Sequence, residues 1–182
     1  MATNFPGSLD SFTNPSSSST LDSPSHAAQH ANINDAMEAV QAKLGVGAGT
    51  IGTYTDYSSS VTFGGFTKGT STVVARYTKI NKFVHYWGYV ITHSGFSMTG
   101  PLDVSLPVTA TGGILTTQSA CAFYDGSLLY WGTAINISAS YVRLVSHVVN
   151  ATYGYNGDVG STVPFTWATG DAFYWNHYYE AA

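Results

Sequence analysis

Along this chain the spacing of apolar residues changes once, near Gly45. Before it, His26, His30, Ile33, Met37, Val40 and Leu44 step by 4, 3, 4, 3 and 4 residues, the a/d spacing of a coiled-coil helix. After it, apolar residues alternate with polar ones, or cluster in short runs bounded by Gly, Asp, Asn and Ser, which is strand periodicity. Residues 1–22 show neither pattern.

The helix is expected over residues 23–45. Ser23 is a suitable N-cap, Pro24 then falls at the first helical position, and Gly45 closes the C-terminus. So short a helix is marginal alone and needs packing to stabilise it. Placing His30, Met37 and Leu44 at a and His26, Ile33 and Val40 at d favours three or four helices over two, because leucine is at a and β-branched residues at d. The flanking positions Gln29, Asn34, Ala36, Gln41 and Lys43 supply no complementary ion pairs. The expected assembly is a homotrimer; the competing reading is an amphipathic helix lying on its own β domain. In a trimer His26 and His30 would form polar layers able to hold water, an anion or a metal ion. They are the metal candidates; otherwise both rings are solvated, and no cofactor is expected. "HAAQH" spaces its histidines like a zinc protease helix but lacks the glutamate base.

Beyond Gly45, "GVGAGTIG" has neither the lysine nor the preceding strand of a phosphate loop and reads as a flexible linker over 46–56. The remainder, 57–182, is expected to be an antiparallel β-sandwich of the jelly-roll type. "STVVARYTK" and "FVHYWGYVITH" flank a turn at Lys79–Lys82 and predict a hairpin. "LDVSLPV", "SACAFY", "LLYWGTAINIS", "YVRLVSHVV", "VPFTWA" and "DAFYWNHYY" predict further strands. Within the hairpin, Phe83, His85, Trp87, Tyr89 and Ile91 share one face, and Val84, Tyr86 and Val90 the other. A strand apolar on both faces needs its outer face covered, and a neighbouring subunit would serve.

Composition narrows the function. Six Lys/Arg against ten Asp/Glu give a net charge of −4, with no basic cluster to engage nucleic acid. No run of 18 apolar residues predicts a membrane span, and the first residues lack the pattern of a signal peptide. The two sequons, at Asn136 and Asn150, are then accidental. The single cysteine, Cys121, excludes an intrachain disulfide and lies in an alternating apolar run, so it is expected in the core. Of 9 Phe, 13 Tyr and 4 Trp, only Phe5 and Phe12 precede residue 51. The segment 1–22, with its Pro, Gly and Ser, has too little apolar surface for a core. It reads either as a free tail or as an extended arm anchored through Phe5, Pro6, Leu9 and Phe12.

Catalysis is not expected. Asp56, Asp103, Asp125, Asp158, Asp171 and Glu180 show no spacing that pairs carboxylates, and "YDGS", "NGDVG" and "TGDAF" read as turns. Cys121 with His85, His93, His147 or His177 matches no nucleophile signature. Binding is better supported, since exposed Tyr and Trp stack on sugars and offer polar tips. The richest segments are "YDGSLLYW", "NATYGYNGD" and "YWNHYY"; Tyr153, Tyr155 and Trp131 are the glycan-binding candidates.

"FPGSLDSFTNP" followed by "LDSPSHAAQHANINDAMEAVQAKLGV" resembles the N-terminal attachment segment of minor tail and fibre proteins of tailed bacteriophages. "ARYTKINKFVHYWGYV", "LDVSLPV" and "VPFTWATGD" resemble the terminal β domain of such fibres. The resemblance implies a virion structural protein on the outside of the particle. It would be a homotrimeric short fibre, or a capsid-borne head fibre or decoration protein, docked to other virion proteins by its arm. The β head would serve host attachment, with a host-surface glycan as partner, and no catalytic residue carries over. The rival from another class is a monomeric carbohydrate-binding module.

Overall fold

The computed structural model describes residues 25–44, 53–112, 118–150 and 153–182. The arm and its anchors Phe5, Pro6, Leu9 and Phe12 lie outside the described residues. The chain divides into two units between Thr53 and Tyr54.

In the first unit, α1 spans His26–Leu44. Its N-cap is Ser25, not Ser23: the Ser25 hydroxyl accepts the Ala28 N–H at 3.4 Å and its carbonyl accepts that of Gln29 at 3.0 Å. A cap is fixed by which hydroxyl reaches the free amide of the first turn, and Ser25 stands at that spacing. The expected seam is unburied in the single chain, with Ile33 56%, Met37 54% and Val40 37% exposed. His26 and His30, one turn apart, meet edge to face with ring centres 4.4 Å apart and their Nε2 atoms 3.0 Å apart.

The second unit is mainly β, as the periodicity predicts. Its strands are β1 (Thr55–Asp56), β2 (Phe63–Thr67), β3 (Thr72–Ile80), β4 (Phe83–Ile91), β5 (Ser97–Ser105), β6 (Gln118–Tyr124), β7 (Leu129–Asn136), β8 (Tyr141–Asn150), β9 (Tyr153–Asp158) and β10 (Ala172–Glu180). They form one antiparallel sheet in the order β1-β3-β4-β10-β6-β7-β8-β5-β2, with β9 on the edge of β8. The meander β6-β7-β8 with β5 beside β8 is a Greek key. The expected hairpin is β3–β4, with Ile80 opposite Phe83 across Asn81-Lys82. Asn81 adopts the left-handed φ of 55° that asparagine tolerates in tight turns.

Three expectations are corrected. β1 joins the sheet at the edge of β3, so the linker assigned to 46–56 gives up its last residues to the head. The run "VPFTWA" is not a strand. Pro164 has no N–H for a ladder, and the segment is instead held by the Trp167 indole N–H donating to the Gly160 carbonyl at 3.0 Å. The turn read at "NGDVG" begins later than expected, because Asn156, Gly157 and Asp158 are the end of β9, paired with β8.

The sheet curls so that its β2 end lies over its middle. Phe63 and Phe66 of β2 meet Phe173 of β10 edge to face at 5.9 and 5.3 Å, although four strands separate β2 from β10 in the hydrogen-bonded order. The β1–β2 connection closes the seam: Tyr57 donates its N–H to Ala75 of β3 at 2.8 Å, and its hydroxyl lies 3.2 Å from that of Ser105 on β5. Between the two layers lie Val84, Tyr86, Val90, Phe123, Leu144 and Phe173, all fully buried. Burying such side chains is worth about 1.5 to 3 kcal/mol each. Gly88 fits only because it has no side chain, since a Cβ there would overlap the Trp175 ring and the Val74 carbonyl.

Candidate functional site: an aromatic outer face

Strict alternation on β4 and β10 sorts their residues between two environments. Tyr86 and His177 turn inward, while their neighbours His85 and Tyr178 turn outward and pair across the strands. The outer face is thereby lined with rings. His85 and Tyr178 stack with centroids 4.5 Å apart and planes within 12°, and Phe83 continues the stack at 5.8 Å from Tyr178. Tyr54, just before β1, stands edge-on to both His85 and Trp87, and Arg76 lies over the Trp87 ring at 6.0 Å.

The rings carry a set of polar tips. His85 Nε2 lies 2.7 Å from Asn176 Oδ1, and its Nδ1 lies 2.7 Å from the Tyr54 hydroxyl. An acceptor at Asn176 Oδ1 places the ring hydrogen on Nε2, so Nδ1 accepts from Tyr54. This fixes the imidazole tautomer and leaves the Asn176 amide and the Tyr54 oxygen lone pairs turned to solvent. Next to the stack, Phe83, Tyr178, Tyr179 and Glu180 line an open depression of about 380 Å³. Glu180 is paired with Lys82 at 3.7 Å, both well exposed.

A second exposed group lies on β7. Trp131 is 61% exposed, and Leu129 and Leu128 project beside it. The turn that carries them is set by Asp125, whose carboxylate accepts the N–H groups of Leu128 at 2.8 Å and Ser127 at 3.2 Å. These bonds, the one from Leu128 foremost, hold the Asp125 carboxyl below the usual carboxylate range. Gly126 supplies the left-handed φ of 84° that the turn requires.

Of the glycan candidates, Trp131 is on the surface, while Tyr153 and Tyr155 lie on β9 opposite Asn150 and Val148. The run "YWNHYY" splits by alternation: Tyr174, Asn176 and Tyr178 face out, and Trp175, His177 and Tyr179 are buried. Sequence reasoning left Tyr54, His85 and Trp87 without a binding role. The signal was the ring-lined face of β4, which pointed equally to a covering subunit.

The residues considered for catalysis are placed otherwise. Cys121 is buried, its thiol pushed up to about 12 by burial, and it faces the Val145 carbonyl at 3.6 Å. His177, fully buried, lies 3.0 Å from the Ser119 hydroxyl and 2.7 Å from Asn136 Oδ1. Burial pushes its pKa down to about 4, so the ring is neutral and ties β10 to β6 and β7. Asp103 and Asp158 both engage Arg143, at 2.7 and 3.6 Å. Among the described residues, no three of His, Cys, Asp and Glu gather to hold a metal ion, and no helix is long and apolar enough to cross a membrane.

Comparison with protein families, with curated proteins and with solved structures finds no match to this chain.

Proposed function

We propose that the chain is a non-enzymatic surface-attachment protein of the virion short-fibre type. In this reading the arm docks on the outside of the particle, α1 joins three copies as a coiled coil, and a jelly-roll-like head binds a host-surface glycan. The observation that carries it is the outer face of β4 and β10, where stacked rings surround a histidine of fixed tautomer. Buried rings build cores; solvent-facing rings with oriented polar tips suit sugars, which offer apolar ring faces and hydroxyl edges. The exposed stripe Ile33, Met37 and Val40 supports self-association, since apolar residues at heptad spacing are covered when copies pair.

The test combines a glycan array with light scattering on the full chain. Glycan binding that is lost in Tyr178→Ala, with a mass three times that of the chain, is expected. Ile33→Asp with Val40→Asp then returns the mass to one chain. A monomer that binds glycans equally well favours the second reading, a carbohydrate-binding module, which the separate compact unit Tyr54–Ala182 also suits. Absence of glycan binding refutes both.

A further inference from the structure

The chain has six histidines. Four lie in the β unit, and each sets a ring nitrogen against a hydroxyl or amide oxygen: His85, His93, His147 and His177 meet Asn176, Thr72, Thr133 and Asn136. His26 and His30 on α1 differ. Both are exposed, and the Nε2 of each faces the Nε2 of the other, 3.0 Å away. Residues four apart on a helix stand one above the other on the same face, so α1 itself holds the two rings in this relation. The first turn carries no acidic residue to engage either ring.

The distance between the ring centres tells two kinds of contact apart. In a hydrogen bond that runs along the axes of both rings, the centres would lie about 5.2 Å apart at this nitrogen separation. Two imidazoles on one metal ion at roughly a right angle, each nitrogen about 2.1 Å from it, bring the nitrogens to about 3 Å and the centres to about 4.5 Å. The observed centres are 4.4 Å apart. That separation fits converging rings and not a collinear pair. A tetrahedral angle would open the nitrogens to about 3.4 Å. The bite is therefore that of an octahedral or tetragonal ion, and imidazole nitrogen in that geometry suits copper(II) or nickel(II). Among the described residues no third His, Cys, Asp or Glu joins the pair, which leaves the ion's other positions to water.

We infer that His26 and His30 form a two-point site for one divalent ion of the copper or nickel type, with both protein ligands drawn from the same chain. Both Nε2 atoms bind unprotonated, with the ring hydrogens on Nδ1. The site lies on the first turn of α1, beside the Ser25 cap. Forming the first turn is the costly step for a helix this short, and an ion held by residues one turn apart stabilises that turn by mass action. The inference rests neither on glycan binding nor on a trimer. A histidine layer shared between copies would hold one ion per three chains, whereas this site holds one per chain.

The experiment is calorimetric titration of the untagged full chain with nickel chloride, with amide hydrogen exchange of α1 followed with and without the ion. The expected result is one ion per chain and slower exchange across residues 26–34. His26→Ala and His30→Ala should each weaken binding at least tenfold and abolish the slowing. Ala28→His combined with His30→Ala keeps two histidines but sets them two residues apart, where side chains do not face each other, and should not restore binding. A loss of only about twofold in each single variant would mean that the rings act independently, which overturns the inference, as does full affinity in the relocated pair. One ion per three chains moves the site to an interface between copies and overturns it too. Absence of binding at about 1 mM nickel does so outright.

Discussion

Two histidines on neighbouring strands show how one sheet makes two chemistries. His85 of β4 pairs with Tyr178 of β10 on the outside, and His177 of β10 pairs with Tyr86 of β4 on the inside. Both rings hydrogen-bond an asparagine oxygen at 2.7 Å, Asn176 outside and Asn136 inside. The inner ring is sealed, so its bonds fix the packing of β10 against β6 and β7. The outer ring is half-exposed, so its partners' remaining donors and acceptors stay turned to solvent. Burial, more than residue type, decides whether a hydrogen bond locks strands together or stays at the surface.

The comparison breaks most sharply under truncation. Phe173→Ala, in the fully buried layer, should cost about 3 to 5 kcal/mol in urea unfolding. A loss below about 1 kcal/mol would mean that the curled sheet does not close over β10.

Acid sharpens the same contrast. The folded pKa of His177, about 4, lies below its ordinary value of 6.5. The unfolded chain therefore binds the proton more readily. Stability should be unaffected by this group above pH 6.5 and fall as the pH drops from 6.5 to 4, by roughly 3 kcal/mol. His177→Gln should flatten that part of the profile, and a curve as steep as the parent's would assign the loss to other groups. Gly88→Ala should cost about 1 to 3 kcal/mol through overlap with Trp175. A thermal melt at the parent temperature would contradict the close approach. The smallest stability effect belongs to the outer face. Tyr178→Ala forfeits ring stacking worth about 1 kcal/mol, yet should weaken glycan binding at least tenfold. Equal losses of fold and binding would erase the distinction between the faces.

Those two faces were unequally legible in the sequence. The β3–β4 hairpin was plain, because alternation and a turn-forming Asn81 agree. β2 was not, because Gly64 and Gly65 interrupt its apolar pattern, and its register with β5 shifts between Gly64 and Phe66. Residues 163–168 misled in the opposite sense: their rings look like strand residues but pack as a plug, Phe165 against Trp167 at 4.6 Å. For the site, alternation placed His85 and Trp87 on one face of β4. It could not bring Tyr54 and Asn176 to them, since that juxtaposition comes from pairing residues up to 91 positions apart. Nor could it separate a face covered by a partner from a face that binds one.

The place of β10 in the sheet has a consequence for synthesis. The last described strand in chain order, β10, lies inside the sheet, between β4 and β6. On the ribosome, every earlier strand can exist while the sheet still has a gap, with β4 and β6 presenting open edges and Phe63 and Phe66 facing no Phe173. Open edges invite pairing with another chain, and polysomes bring nascent copies side by side. The head is thus safe from its neighbours only once β10 has entered the sheet, and a ribosome stalled before Ala172 would leave a product primed to aggregate.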